Sequence, residues 1–151
     1  MDYRLLNNRL RVLCEKQNYF VTNLANAAAL LWEKLPKINW AGFYLMRNGA
    51  LVLGPFQGKT ACTRIEVGKG VCGTAVAESS LQRVADVHLF PGHIACDSAS
   101  RSEIVIPIRQ FGRIVGVLDI DSPVTERFSE ADEDGLLEFV RVLEETTVFE
   151  A

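Results

Sequence analysis

The sequence predicts an α+β domain in which helices pack against an antiparallel sheet. Three observations lead to this class. Residues 2–35 carry apolar side chains at helical spacing, the middle of the chain consists of short alternating segments between turn residues, and the end of the chain returns to helical spacing. A length of 151 residues corresponds to one domain with one core, so residues 1–151 are expected to fold as a unit.

Composition narrows the class of function. Apolar residues make up 48% of the chain and charged residues 23%, which is ordinary for a globular protein. The formal net charge of −3 gives no reason to expect nucleic acid as a partner, and no apolar run reaches the roughly 18 residues of a membrane span. The start of the chain lacks a secretory signal, so the expected location is the cytoplasm, where cysteines stay reduced. No cofactor is expected, and no metal, because the chain has no CxxC pair and only two histidines.

The N-terminal segment predicts one long helix or two. It contains no glycine, and its apolar residues recur at helical spacing: Leu6, Leu10, Leu13 and Cys14, then Leu24, Ala28, Leu31 and Leu35. Asn18 is a point at which the helix can divide, and Pro36 ends it. Cys14 lies on the apolar face and is expected to be a buried small hydrophobe.

A β-hairpin is predicted next. Residues 39–46 and 50–57 are rich in aromatic and branched side chains, and the dipeptide Asn48-Gly49 between them readily adopts positive φ. Alternation along the first strand places Trp40, Gly42 and Tyr44 on one face.

Two short strands then flank a short helix. Residues 63–67 and 82–85 read as strands, and residues 71–78 as a helix that follows two glycines. Cys72 lies near the N-terminus of this helix, where the helix dipole is expected to lower the pKa of a thiol.

The longest stretch without a regular pattern is residues 86–102. A loop of this length in a compact domain is usually functional or disordered, and Cys96 near its middle favours a function. His93 is either a surface histidine or a cation that helps to hold Cys96 as a thiolate, whereas Asp97 would oppose the thiolate.

A second hairpin brings acidic residues together. If Gln110-Phe111-Gly112 is a three-residue loop, Glu103 lies opposite Asp119, and Asp121 shares their face. A two-residue loop would instead move Glu103 to the other face. The acids are either solvated charges at strand ends or a ligand site, and crowding of three carboxyls would raise at least one pKa. Ser129 then caps the last predicted helix, with Leu136, Val140 and Leu143 on one face.

Taken together, these residues resemble the free methionine-(R)-sulfoxide reductases, which are enzymes built on a GAF domain. The resemblance covers residues 19–143. It is carried by NWAGFY at 39–44, LGPFQG at 53–58, Ala61-Cys62, GKGVCGTA at 68–75, Asp86-Val87, FPGHIACD at 90–97, SEIVIP at 102–107 and GVLDIDS at 116–122.

The resemblance implies a fold with helices on one face of the sheet and a loop-covered ligand pocket on the other. It also implies that free L-methionine-(R)-sulfoxide is reduced and that thioredoxin regenerates the enzyme. In that scheme Cys96 attacks the sulfoxide sulfur and becomes a sulfenic acid. Cys72 is the resolving thiol, and Cys62 is a second thiol that passes the disulfide outward.

The carboxyls have two roles in the same scheme. Glu103 or one of the aspartates protonates the sulfoxide oxygen, and the others, among them Asp119 and Asp121, hold the substrate ammonium. Trp40 packs against the S-methyl end. The sequence leaves open a homodimer and the identity of the group that binds the substrate carboxylate. The main alternative is a non-catalytic GAF sensor of a small ligand or of oxidation, and a scaffold with incidental cysteines is a third reading.

Overall fold

The computed structural model of the chain describes residues 1–93 and 98–149. Over these residues, six strands form one antiparallel sheet in the order β3-β2-β1-β6-β5-β4. The strands are β1 Trp40–Arg47, β2 Ala50–Gly58, β3 Arg64–Glu66, β4 Gln82–Val84, β5 Ser102–Gln110 and β6 Arg113–Ser122. The helices are α1 Tyr3–Cys14, α2 Phe20–Lys34, α3 Gly70–Glu78 and α4 Glu130–Thr146, with a short 3-10 helix at Val87–Leu89.

The elements follow the predicted order, and the α+β class is confirmed. The N-terminal pattern is divided into two helices by a break at residues 15–19, which includes Asn18, as the sequence allowed. Ser129 caps α4 through a reciprocal pair of hydrogen bonds with Asp132, in which each side chain accepts from the other residue's backbone N–H. None of the helices in the described part of the chain is both long enough and apolar enough to cross a membrane.

The two faces of the sheet have different coverings. Helices α1, α2 and α4 pack on one face and form the larger core with alternate strand residues, including Ala41, Phe43, Ile104, Ile106 and Ile108. The opposite face carries a smaller core that includes Trp40, Tyr44, Val105 and Val117, together with Val71, Cys72 and Ala75 of α3. The alternation predicted for β1 is therefore confirmed, and α3 with its flanking loops covers the second face.

The β5–β6 hairpin has a different turn from the predicted one. The structure has a two-residue turn, Phe111-Gly112, with φ of 57° and 76°, and Gln110 pairs with Arg113. Positive φ at both central residues is typical of a type I′ turn, whose twist matches that of the strands. The predicted three-residue loop, with Arg109 opposite Arg113, is wrong.

A β-bulge follows this turn and changes the register again. Ile108 pairs with Gly116 while Arg109 pairs with Ile114, so Val115 is the extra residue in β6. The turn and the bulge each shift the register by one residue. Glu103 consequently lies opposite Asp121, and the prediction that it lies opposite Asp119 is wrong by two positions. Because side chains alternate with a period of two, the predicted face is nevertheless correct.

Candidate active site

A cavity lies on the sheet face that α3 covers. Three neighbouring strands supply most of its floor, and α3 with its preceding loop supplies its roof. The cavity is lined by Trp40, Tyr44, Thr60, Ala61, Ile65, Lys69, Gly70, Val71, Cys72, His93, Ser100, Glu103, Asp119 and Asp121.

Strand register places the acids side by side. Asp121 of β6 pairs with Trp40 of β1 on one side and with Glu103 of β5 on the other. Asp119 lies two residues earlier on β6 and therefore on the same face. Three carboxyls thus share one patch in the middle of the sheet, and the reading as solvated strand-end charges does not hold for Glu103 and Asp119, which are only 7% and 6% exposed.

The environment of Glu103 and Asp119 favours the neutral form of both carboxyls. Burial raises the pKa of Glu103 well above its usual range, and the charges of Asp119 and Asp121 raise it further. Burial also raises the pKa of Asp119, although polar contacts with Glu103, Asp121 and Cys72 partly offset this effect. The cluster can therefore carry a proton on a carboxyl at a pH where an exposed carboxyl would be ionised.

Cys72, on the helix α3 that covers this face of the sheet, lies next to the carboxyls. Its Sγ and carboxylate oxygens of Glu103 and Asp119 lie within 4.8 Å of one another. Burial raises the pKa of the Cys72 thiol, as do the charges of Asp119 and Glu103. The prediction of a lowered thiol pKa is wrong, because a helix N-terminus contributes only about 0.3–1 kcal/mol, less than burial beside several carboxyls costs.

The remaining cysteines occupy different environments. Cys62 is disulfide-bonded, whereas Cys14 and Cys72 are free and buried. Cys14 lies in the helical core, as predicted, and burial raises the pKa of its thiol. Cys96, predicted as the nucleophile, lies outside the described residues, and so does its neighbour Asp97.

Aromatic rings form one wall of the cavity. Trp40 is 3% exposed, and its Nε1 donates a hydrogen bond to the carbonyl of Lys59 at 3.1 Å. Its ring stacks on Phe56 with centroids 5.2 Å apart and on Tyr44 at 5.9 Å. Gly42 makes this stack possible, because a Cβ at position 42 would lie 2.3 Å from Cβ of Phe56.

Tyr44 is a site residue to which sequence reasoning gave no role. Its hydroxyl donates to the carbonyl oxygen of Cys62 at 2.9 Å, which ties the aromatic wall to the segment that carries this cysteine. Burial raises the pKa of Tyr44, so the hydroxyl stays a neutral donor. The alternation that placed Tyr44 on the face of Trp40 was a signal that could have identified it.

His93 also lines the cavity, but not as a cation. Burial lowers the pKa of His93, and the nearby His88 lowers it further. A neutral imidazole lacks the positive charge that the predicted stabilisation of a thiolate requires.

Comparison with known proteins agrees with this architecture. The GAF domain model matches residues 20–145. The chain is 57% identical to Protein YtsP of Bacillus subtilis, over 95% of this chain and 89% of the relative. It is also 57% identical to the free methionine-R-sulfoxide reductase of Escherichia coli, over 94% and 86%. Among solved structures, the free methionine-R-sulfoxide reductase of Neisseria meningitidis in complex with its substrate superposes with a TM-score of 0.92 at 45% identity, over 95% of this chain and 87% of that one.

These matches cover both the fold and the strands that carry the acidic cluster. The chain therefore belongs to the GAF-domain family of free methionine-(R)-sulfoxide reductases.

Proposed function

We propose that this chain reduces free L-methionine-(R)-sulfoxide to L-methionine. The observation that carries the proposal is the patch of three carboxyls, two of them buried, beneath a free thiol and beside an aromatic wall. If the acids were only surface charges and the cysteine had no function, there would be no need to bury them together. The relatives named as reductases of the free amino acid support the same reaction.

The cavity offers a partner for each part of the substrate. Ionised carboxylates of Asp119 and Asp121 can bind the ammonium group, which a peptide-bound methionine sulfoxide lacks. Trp40 can pack against the S-methyl end and so fix which sulfoxide epimer faces the acids. Glu103 can donate a proton to the sulfoxide oxygen, because its raised pKa keeps a proton on it at a pH where an exposed glutamate has lost its own.

The chemical step follows from sulfur chemistry. The Cys96 thiolate attacks the sulfoxide sulfur while Glu103 protonates the oxygen. The oxygen then passes to Cys96, methionine leaves, and Cys96 is oxidised to a sulfenic acid. A second thiol attacks the sulfenic sulfur and releases water, which leaves a disulfide. A dithiol such as that of thioredoxin reduces this disulfide and returns both cysteines to thiols.

Two observations favour Cys62 over Cys72 as the second thiol. Cys62 is disulfide-bonded in the structure, and Cys72 is free. The raised pKa of Cys72 also disfavours the thiolate that disulfide formation needs. We therefore assign resolution to Cys62, and Cys72 becomes a wall of the substrate site. Thioredoxin as the reductant and the cytoplasmic location stay predictions.

The test is a single turnover of the reduced chain with free methionine-(R)-sulfoxide. One equivalent of methionine is expected, and Cys96→Ser should form none because a hydroxyl is a far poorer nucleophile than a thiolate. The Cys62→Ser variant should still release one equivalent and leave a sulfenic acid on Cys96, detectable with a dimedone probe. The N-acetylated, amidated sulfoxide is the substrate control and should react much more slowly, since it leaves buried carboxylates unpaired.

Methionine release by Cys96→Ser at the wild-type rate would refute the assignment of the nucleophile. Binding of the sulfoxide without any turnover would instead favour the GAF sensor reading.

A further inference from the structure

The carboxyl and thiol cluster contains a set of atoms that suits a divalent metal. Cys72 Sγ and one carboxylate oxygen each of Glu103 and Asp119 lie within 4.8 Å of one another, and all three residues are buried. Thiolate and carboxylate oxygen are both common ligands of Zn²⁺, and a site with three protein ligands leaves a fourth position open. The mixture of soft and hard donors fits Zn²⁺ better than Mg²⁺ or Ca²⁺, which prefer oxygen alone.

The carboxyls of Glu103 and Asp119 form no ion pair within the described part of the chain. Asp119 lines the cavity and is 94% buried, yet its Oδ1 has no partner at hydrogen-bond distance. An unpaired buried carboxylate oxygen is costly, and a cation bound to it would remove that cost.

We propose that Cys72, Glu103 and Asp119 bind a Zn²⁺ ion when Cys72 is reduced and the substrate is absent. Tetrahedral Zn²⁺ with bonds of about 2.0–2.3 Å needs ligand atoms roughly 3.3–3.6 Å apart. Side-chain rotations that close the present separations by about 1 Å are therefore enough. The cavity of about 40 Å³ exceeds the ~10–15 Å³ that one water needs, so a water can fill the fourth position.

The prediction of no metal rested on the spacing of cysteines and histidines along the chain. The three ligands come from α3, β5 and β6, and no CxxC or histidine pattern links them. The ion would occupy the carboxyls assigned to the substrate, so Zn²⁺ is expected to compete with methionine sulfoxide. This consequence rests on the proposed function, whereas metal binding itself rests on the geometry alone.

Cobalt is a spectroscopic probe for this site. The full chain, reduced and freed of metal by a chelator, is titrated with Co²⁺. One equivalent should produce a thiolate-to-cobalt charge-transfer band in the near ultraviolet, and Zn²⁺ should displace the Co²⁺ and remove the band. Cys72→Ser should abolish the band, and Asp119→Asn should weaken binding at least ~10-fold, as expected for loss of a metal ligand.

Matched controls separate Cys72 from the other thiols. Cys14→Ser makes the same change at the other free buried thiol among the described residues and should keep both the band and the affinity. Cys96→Ser should keep them too. If Cys72→Ser fails to fold, labelling of the unaltered chain gives the answer: Zn²⁺ should slow alkylation of Cys72, mapped by peptide mass, and leave Cys14 unaffected.

A band that survives Cys72→Ser, or no cobalt binding by the reduced chain, would overturn the metal site. Turnover supplies the second arm, in which Zn²⁺ should raise the apparent KM for the sulfoxide and leave kcat unchanged. Metal binding without any turnover would remove the proposed function and leave the zinc site standing. Turnover without metal binding would remove the zinc site and leave the proposed function standing.

Discussion

Glu103 is the residue on which the chemistry of the cluster depends most. It is 7% exposed, and burial together with two neighbouring carboxyls raises its pKa. A sulfoxide oxygen leaves poorly unless it is protonated, so a neutral acid beside the reacting sulfur has a direct use. A glutamine at this position keeps the size and the hydrogen-bonding capacity but cannot transfer a proton.

We expect Glu103→Gln to slow methionine formation by roughly 10²–10⁴-fold, the usual contribution of a general acid. Rapid quenching of a single turnover at saturating sulfoxide measures this step, and tryptophan fluorescence measures binding. Glu33→Gln, an exposed change on α2, is the control. Weakened binding with an unchanged chemical step would move the donor role to Asp119 or Asp121.

Tyr44 is expected to act one step later, as a positioning residue. Its hydroxyl holds the carbonyl of Cys62 at 2.9 Å, and Tyr44→Phe removes this bond while keeping the aromatic wall. The variant should release the first methionine at a nearly normal rate and form the disulfide more slowly. Tyr19→Phe, which is 50% exposed, is the control. Slower methionine release with unchanged disulfide formation would contradict this role.

The β5–β6 hairpin shows what the sequence could and could not predict at the scale of an element. Alternation along each strand was readable, because it depends only on neighbouring residues. The register was not, because the bulge at Val115 is a property of two strands together. The environments of the cysteines could not be predicted for the same reason, since Cys72 lies beside the carboxyls of Glu103 and Asp119 only in the folded protein.

Deletion of Val115 tests the bulge directly. Without the extra residue, Gly116 directly follows Ile114, so Ile108 still pairs with Gly116 and Glu103 still lies opposite Asp121. We therefore expect the deletion variant to keep sulfoxide binding, and urea denaturation to show only a loss of packing energy. Val115→Ala keeps the bulge and is the matched control for the lost side chain. Loss of sulfoxide binding by the deletion variant, while Val115→Ala still binds, would contradict this register.

At the scale of the whole molecule, the buried acids should lower stability. The pKa values of Glu103 and Asp119 are raised above those of the unfolded chain, so the folded state binds more protons between the unfolded and folded values. Stability is then expected to fall as pH rises through that window. This direction is opposite to that of a salt-bridged carboxylate.

Thermal unfolding across this window measures the effect. Glu103→Gln should be more stable than wild type at pH 8 by about 1 kcal/mol or more, which is ~2–4 °C in Tm for a chain of this size. The difference should shrink toward pH 5, and Glu33→Gln should follow the wild type at every pH. A variant less stable than wild type at pH 8 would indicate that the cluster stabilises the fold.

The fold as a whole was the most predictable level. Helix boundaries, the Asn48-Gly49 turn and the division of each strand into two faces followed from local patterns, and the family resemblance covered nearly the whole chain. The pairing of Cys62 and the environment of His93 required contacts between distant segments.

The two-residue turn and the single bulge also impose a counting rule on this hairpin. The two turn residues and the one bulge residue make three, an odd number, and an odd number keeps Glu103 on the side of Asp119 and Asp121. A three-residue turn would need no bulge, and a four-residue turn would need one again. These alternatives hold for a hairpin of fixed length. A one-residue insertion or deletion keeps the acidic patch where the turn or the bulge absorbs it, so a lone one-residue gap between two aligned relatives predicts a different turn length or a missing bulge.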